Sequence, residues 1–317
     1  MGRGSTLLPP VGGYRHVGGV QLLVDVRGSG SPTVVFLPGA GLTGLDYLPL
    51  HESAASSWSS MLYDRAGTGW SERVALPRTA LDVTDELHEL ISSSVPGPVV
   101  LVGHSLGGLY ARHYATRFPE AVAALVLLDP AHEDYDAYMP DELTAMRSAN
   151  RAFALLNVVV DLALTTPPTK ALLGILPPIR RYQRLYRRLF DEQMADWRVP
   201  VRQALAAQHA SLDWLAVGLR ESRNIDSLYR EVHDAGPMPD LPLVIVSSTG
   251  TDAFRDAVSS GESPHLLEAE AQAKLRLYGD IAASVTRGRV VPVDGGHVTL
   301  PYRHAAQIIQ AVHEVSS

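Results

Sequence analysis

The chain has 317 residues, 46% of them hydrophobic and 19% charged, and a formal net charge of −7. This balance suits a packed globular protein rather than a disordered one, and the length admits one large α/β unit or a domain carrying an insertion. The mild, dispersed charge argues against the clustered basic surface that nucleic acid demands, and the lack of cysteine excludes disulfides, thiolate catalysis and cysteine-rich zinc sites.

Residues 1–17 are rich in Gly and Pro and lack the apolar run of a secretory signal, so a cytoplasmic location is expected. Residues Met1 to Thr6 fit an acylation signal only at a length where chance matches are common. Beyond them, short β-branched runs alternate with longer helical patterns, the mark of an α/β chain. Strands are predicted over residues 20–27, 33–37, 60–64, 98–102, 123–129, 242–247 and 289–293, and helices over 81–93, 106–117 and 305–315. Runs such as Val99-Val100-Leu101-Val102 are apolar without alternation, as strands covered on both faces are.

Between Asp129 and Pro242 the alternation stops. Helical patterns over 141–156, 179–194 and 201–219 take its place, punctuated by Pro167-Pro168, Pro177-Pro178 and Pro200. The expected architecture is therefore a mostly parallel central sheet with helices on both faces, built from residues 1–131 and 241–317. Residues 132–240 form an inserted helical cap, or lid, over the carboxyl edge of the sheet, or else a helical layer that only enlarges the core. Ala171, Leu172, Leu173, Ile175 and Leu176 fit a hinged lid with an apolar lining. Arg180, Arg181, Arg184, Arg187 and Arg188 alternate with Tyr182, Leu185, Tyr186 and Leu189 at helical spacing, which reads as a solvated helix face. No run is long enough for a membrane span, because Asn157 and Asp161 interrupt the stretch from Phe153 to Leu164.

The most informative stretch runs from Val99 to Gly108, where a buried-strand pattern leads through Gly103-His104-Ser105-Leu106-Gly107 into a helix. A serine on a sharp strand-to-helix turn needs small neighbours where adjacent chain approaches closely. Its Oγ then stands at a helix N-terminus, where N–H groups and the helix dipole favour developing negative charge. Ser105 is thus the candidate nucleophile. A serine hydroxyl is almost unionised at neutral pH and requires a base. Among twelve histidines, His297 stands out, since a strand, a Gly295-Gly296 loop and a final helix surround it. His104, beside the nucleophile, reads as loop support, and His132 as lid or pocket lining.

In these motifs the sequence resembles the α/β-hydrolase fold family of serine hydrolases, esterase- or lipase-like, over the whole chain apart from the cap. The segments Phe36-Leu37-Pro38-Gly39-Ala40-Gly41 and Tyr63-Asp64-Arg65-Ala66-Gly67-Thr68-Gly69-Trp70-Ser71 carry the resemblance further. The former is similar to the family's oxyanion loop, with Pro38 where a histidine usually stands. The resemblance then implies the backbone N–H groups of Ala40 and Leu106 as oxyanion donors, because a tetrahedral oxyanion needs two donors aimed at one point. The latter resembles a structural turn of the family, in which Asp64 and Arg65 tie loops together. The acid that orients His297 has two candidates. Asp252 follows the strand after the cap, as in many relatives, but lies further along than their spacing. Asp129 ends the strand before the cap, on the same side of the sheet as Ser105, and is favoured. Asp294 is too close to His297 along the chain.

These residues imply hydrolysis of an ester, lactone, thioester or amide of a small apolar substrate through an acyl-enzyme, with no cofactor and no metal. Acyl transfer or cyclisation at the same site is an alternative reading, and a hydrolase fold retained only for binding is a third. A serine at the turn argues against dehalogenase and epoxide-hydrolase chemistry, which needs a carboxylate nucleophile. The expected partner is thus a small molecule, with neither nucleic acid nor stable membrane insertion. Oligomeric state is not written in the pattern.

Overall fold

The computed structural model describes residues 9–145, 166–258 and 263–317. The expected patterns at 146–156, at Leu164 and over the first eight residues fall outside the described part. Eight strands form one sheet in the order β1-β2-β4-β3-β5-β6-β7-β8. They are β1 (Gly13–Val17), β2 (Val20–Arg27), β3 (Thr33–Leu37), β4 (Ser60–Tyr63), β5 (Val99–His104), β6 (Val122–Leu128), β7 (Leu243–Ser248) and β8 (Gly288–Val293). The pairings of β1 with β2 and of β2 with β4 are antiparallel, whereas β3 through β8 are paired in parallel. The seven expected strands are present within a residue or two. The eighth, β1, escaped sequence reading because Gly13 to His16 are exposed at the sheet edge and show no apolar alternation.

Successive residues of β3, β5 and β6 are nearly all buried, half facing each side. On one side Val35, Leu101 and Leu125 pack against α2 (Ala80–Ser94), α3 (Leu106–Arg117) and a 20-residue helix, here α11 (Pro264–Ala283). On the other, Val34, Val100 and Val126 meet α1 (Leu48–Ala54) and α13 (Ala305–Val315). Helices thus cover both faces, and a parallel sheet so enclosed presents only its strand ends to ligands.

Between β6 and β7 the chain is helical among the described residues: α4 (Tyr135–Tyr138), α5 (Pro167–Ile175), α6 (Pro177–Gln193), α7 (Val199–His209), α8 (Leu212–Glu221) and α9 (Ile225–Asp234). The helix expected over 201–219 is instead two. Ser211 interrupts it, its hydroxyl accepting the Trp214 N–H as an N-cap, which turns the chain between α7 and α8. After β7 comes the short α10 (Ala253–Val258), and α12 (Leu300–Arg303) precedes α13. No described helix is long and apolar enough to cross a membrane.

Candidate active site

Three side chains reach the carboxyl edge of the sheet from three different strand ends. Ser105 follows β5 with φ 53° and ψ −119°, and Asp129 follows β6 with φ 45°; they are the described non-glycine residues held at positive φ. Such backbone is strained for an L-residue and persists only where surroundings enforce it. Glycines do so at the turn. A Cβ on Gly107 would stand 2.1 Å from the Leu37 carbonyl oxygen, and one on Gly103 would stand 2.6 Å from that of Gly107. The Ser105 carbonyl accepts N–H groups from Gly108 and, across the cleft edge, from Ala131, which ties the serine turn to the segment after Asp129.

His297, in the loop after β8, lies with its Nδ1 3.0 Å from Asp129 Oδ2. A nitrogen facing a carboxylate carries the proton, so Nε2 is left as the basic nitrogen. Burial pushes the Asp129 carboxyl up, but the Lys274 ammonium, His297 and Ser248 together outweigh it and hold the group below the usual carboxylate range. Lys274 Nζ stands 3.1 and 2.9 Å from the two Asp129 oxygens, and the Ser248 hydroxyl also donates to Asp129. Neither Lys274 nor Ser248 was marked by sequence. Lys274 sits on α11, whose start signals, Ser263 as N-cap and Pro264 in the first turn, were present but unread.

The alternative acid, Asp252, does other work. Its Oδ1 accepts the N–H groups of Phe254 and Arg255 at the start of α10, and its Oδ2 those of Val298 and Thr299, the residues following His297. It braces the histidine loop by its backbone, and no contact joins it to the imidazole among the described residues.

His104 supports the loops, as expected. Its Nε2 lies 3.0 Å from the His297 carbonyl oxygen, which fixes Nε2 as the protonated nitrogen and Nδ1 as the acceptor of the Tyr47 hydroxyl at 2.7 Å. Tyr47 in turn accepts the Gly39 N–H. Burial, then the nearby His297, lowers the His104 ring to about 3, so it stays neutral. His132 does not line the cleft; its Nδ1 accepts the Asp134 N–H, and burial with Arg112 alongside lowers it to about 4.

The Ala40 peptide is oriented by Arg65. The guanidinium donates to the carbonyls of Pro38, at 2.5 Å, and Gly39, at 3.1 Å. In a trans peptide C=O and N–H point oppositely, so the Ala40 N–H is turned away from Arg65. Leu106 is the first residue of α3 and has no carbonyl within the helix for its N–H. Arg65 is itself paired with Glu221 of α8 at 2.7 Å, and Glu221 also accepts the Gly41 N–H. Asp64 accepts the N–H groups of Gly44 and Trp70. Both residues of the turn tie loops, as the pattern implied, and Glu221 is a partner that no motif announced.

Ala40, Ser105, Leu106, Asp129 and His297 all line one cavity of about 380 Å³, whose lining also includes the polar side chains of Tyr135, Ser222, Tyr229, Arg255, Glu270 and Lys274 beside apolar Pro130, Ala131 and Ile225. Ala40, Ser105 and His297 also border a second cavity of about 270 Å³ walled by Tyr182, Tyr186, Phe190, Trp214, Leu219 and Phe254. The apolar residues expected to line a lid do not border either space. Leu172, Ile175 and Leu176 are 60%, 56% and 40% exposed and face outward. Helical spacing told that α5 and α6 have apolar faces, but not which one turns toward the cleft. The aromatic residues interleaved with the arginines of α6 supply the lining instead.

The family model described as Alpha/beta hydrolase family matches residues 34–311. A curated pimeloyl-[acyl-carrier protein] methyl ester esterase of Chromobacterium violaceum is 38% identical over 109 residues, 34% of this chain and 41% of that protein. The match with this and the next curated relatives spans under half of their lengths. Among solved structures, a variant epoxide hydrolase of Vigna radiata superposes with TM-score 0.66 at 15% identity, covering 95% of this chain and 96% of that one. An enol-lactonase of Burkholderia xenovorans LB400 superposes with TM-score 0.60 at 18% identity, covering 96% and 100%.

Proposed function

The chain belongs to the alpha/beta hydrolase family, and on that footing we propose that it is a serine hydrolase that opens an ester or related acyl bond through an acyl-enzyme. The observation that carries the reading is the contact of His297 Nδ1 with Asp129 Oδ2 at the wall of a cavity that Ser105 shares. Ser105 Oγ attacks the acyl carbon while His297 Nε2 takes its proton. The imidazolium is stabilised by Asp129, and the oxyanion is received by the N–H groups of Ala40 and Leu106. The proton then passes to the leaving group, and water repeats the sequence to release the acid.

The two cavities meeting at Ser105 suit a substrate with an apolar, ring-sized or branched group on one side of the scissile bond and a hydrogen-bonding group on the other. In this reading the helices of residues 132–240 act as the cap that closes the aromatic side. The esterase named above supports acyl-ester chemistry. Likeness to the epoxide hydrolase is one of fold alone, and a serine at the turn does not form the alkyl ester that epoxide opening requires.

A fluorophosphonate probe tests the reading. It should label the protein stoichiometrically at Ser105, and Ser105→Ala should abolish both labelling and hydrolysis of p-nitrophenyl butyrate. Labelling at another residue, or turnover by Ser105→Ala within tenfold of the parent, would overturn it. Each methylene buried in the aromatic cavity is worth about 0.8 kcal/mol, roughly a fourfold gain in kcat/KM from acetate toward hexanoate esters. Tyr186→Ala should flatten that series.

A further inference from the structure

Asp129 meets more than a histidine. It is 3% exposed, and Lys274, 8% exposed, reaches it from α11 with its ammonium within hydrogen-bond distance of both carboxylate oxygens. Lys274 also donates to the Ser248 hydroxyl at 2.8 Å, while the Ser248 N–H and hydroxyl donate to Asp129. A lone buried carboxylate would favour its neutral form, and a neutral carboxyl beside His297 would stabilise no imidazolium. An orienting acid needs only one partner, the imidazole; this one is also held by the Lys274 ammonium.

Resting on the reading of Asp129 as the orienting acid, we propose that Lys274 is a positioning residue that keeps Asp129 an anion, fixes the oxygen it offers to His297, and so sets the lower pH limit of turnover. Among the described residues, the groups that face Asp129 are Lys274 and the Tyr278 phenol from α11, His297 from the loop after β8, neutral His104 at the end of β5 and the uncharged Ser248 at the end of β7. Further along the same cavity, Arg255 is paired with Glu270 at 2.6 Å. Lys274 is therefore the cation in direct contact with the acid while His297 is neutral, the state in which the base must wait for substrate. Without it Asp129 takes up a proton more readily, and a neutral carboxyl no longer supports the imidazolium that turnover requires. The acid limb of the rate profile then moves up.

The test is the pH dependence of kcat/KM for a p-nitrophenyl ester in full-length variants whose folding is checked by circular dichroism. Lys274→Met, which keeps the stem and removes the charge, should move the acid limb up by about one unit or more. Lys274→Arg should leave it within about 0.3 unit of the parent. If the methionine variant does not fold, Lys274→Gln, which removes the same charge, carries the same expectation. An acid limb that stays within about 0.2 unit of the parent in a folded, charge-free variant overturns the proposal and leaves Lys274 as a tie between α11 and the sheet. The Asp129 reading fails separately, if Asp129→Asn turns over within tenfold of the parent.

Discussion

Ser105 and Asp129 both hold positive φ, and only the first is legible in sequence. Ser105 is announced by glycines two positions to either side, because only hydrogen fits where Gly107 passes the end of β3. Asp129 carries no such signature; it holds φ 45° after β6, with Oδ2 3.0 Å from His297 Nδ1. The two acid candidates are separable by isosteric change. Asp129→Asn should slow turnover by roughly four orders of magnitude, as loss of the orienting acid does in a protease triad. Asp252→Asn weakens the acceptors of backbone N–H groups at Val298 and Thr299 but leaves the imidazole its carboxylate, so its loss of kcat should be at least a hundredfold smaller. Equal losses in the two variants, measured on one ester, would show that loop bracing and charge are inseparable here.

At the scale of elements, the helical insertion is fastened to the sheet by buried polar links rather than by apolar packing alone. Glu221 of α8 is 5% exposed and pairs with Arg65, 2% exposed, under the loop that carries Ala40. His209 at the end of α7 lies 2.8 Å from Asp46, which is fully buried and also accepts the Tyr302 hydroxyl. Removing one member of a buried pair strands the other charge, typically at a cost of about 3–5 kcal/mol. Glu221→Gln, which retains an acceptor for the Gly41 N–H, should accordingly lower stability by about that amount in urea unfolding. It should also lower kcat more than it raises KM for an acetate ester, because the Ala40 peptide loses its brace. An unchanged unfolding midpoint would mean that the desolvation of the two charges already offsets their attraction, so that the pair adds no net stability.

For the whole molecule, buried titratable groups set how stability responds to acid. His104 and His132 are held neutral, lowered to about 3 and about 4 from an ordinary 6.5. On unfolding below that ordinary value each ring takes up a proton, so their contribution is present near neutrality and fades as pH falls from 6.5 toward 4. Asp64 opposes them. Burial raises it to about 7 despite N–H donors from Trp70 and Gly44, so it keeps its proton in the fold at a pH where the unfolded carboxyl has lost it. Burial lowers His113 and His304 as well and raises Glu86, so four rings stand against two carboxyls; the thermal midpoint should fall between pH 6.5 and 4.5, and His132→Asn should make that fall shallower. A midpoint rising with acid would assign the larger share to Asp64.

The sequence by itself determined the parallel sheet, the serine turn, the histidine loop after the last strand and the helical break between β6 and β7, because each is written in local periodicity or in glycines forced by close approach. It narrowed the orienting acid to two positions and favoured Asp129 from its place at the strand end, but strand-end placement is local while reach toward His297 depends on three loops at once. Tertiary structure alone decided that Asp129 meets the imidazole while Asp252 braces its backbone. It also decided that aromatic residues of α6 and α8, not the leucines of α5, wall the cleft, and that Lys274 and Glu221 join the site from far along the chain. A buried charge is stabilised only by the partner that folding delivers to it, and separations of 145 and 156 residues leave no local trace of that pairing.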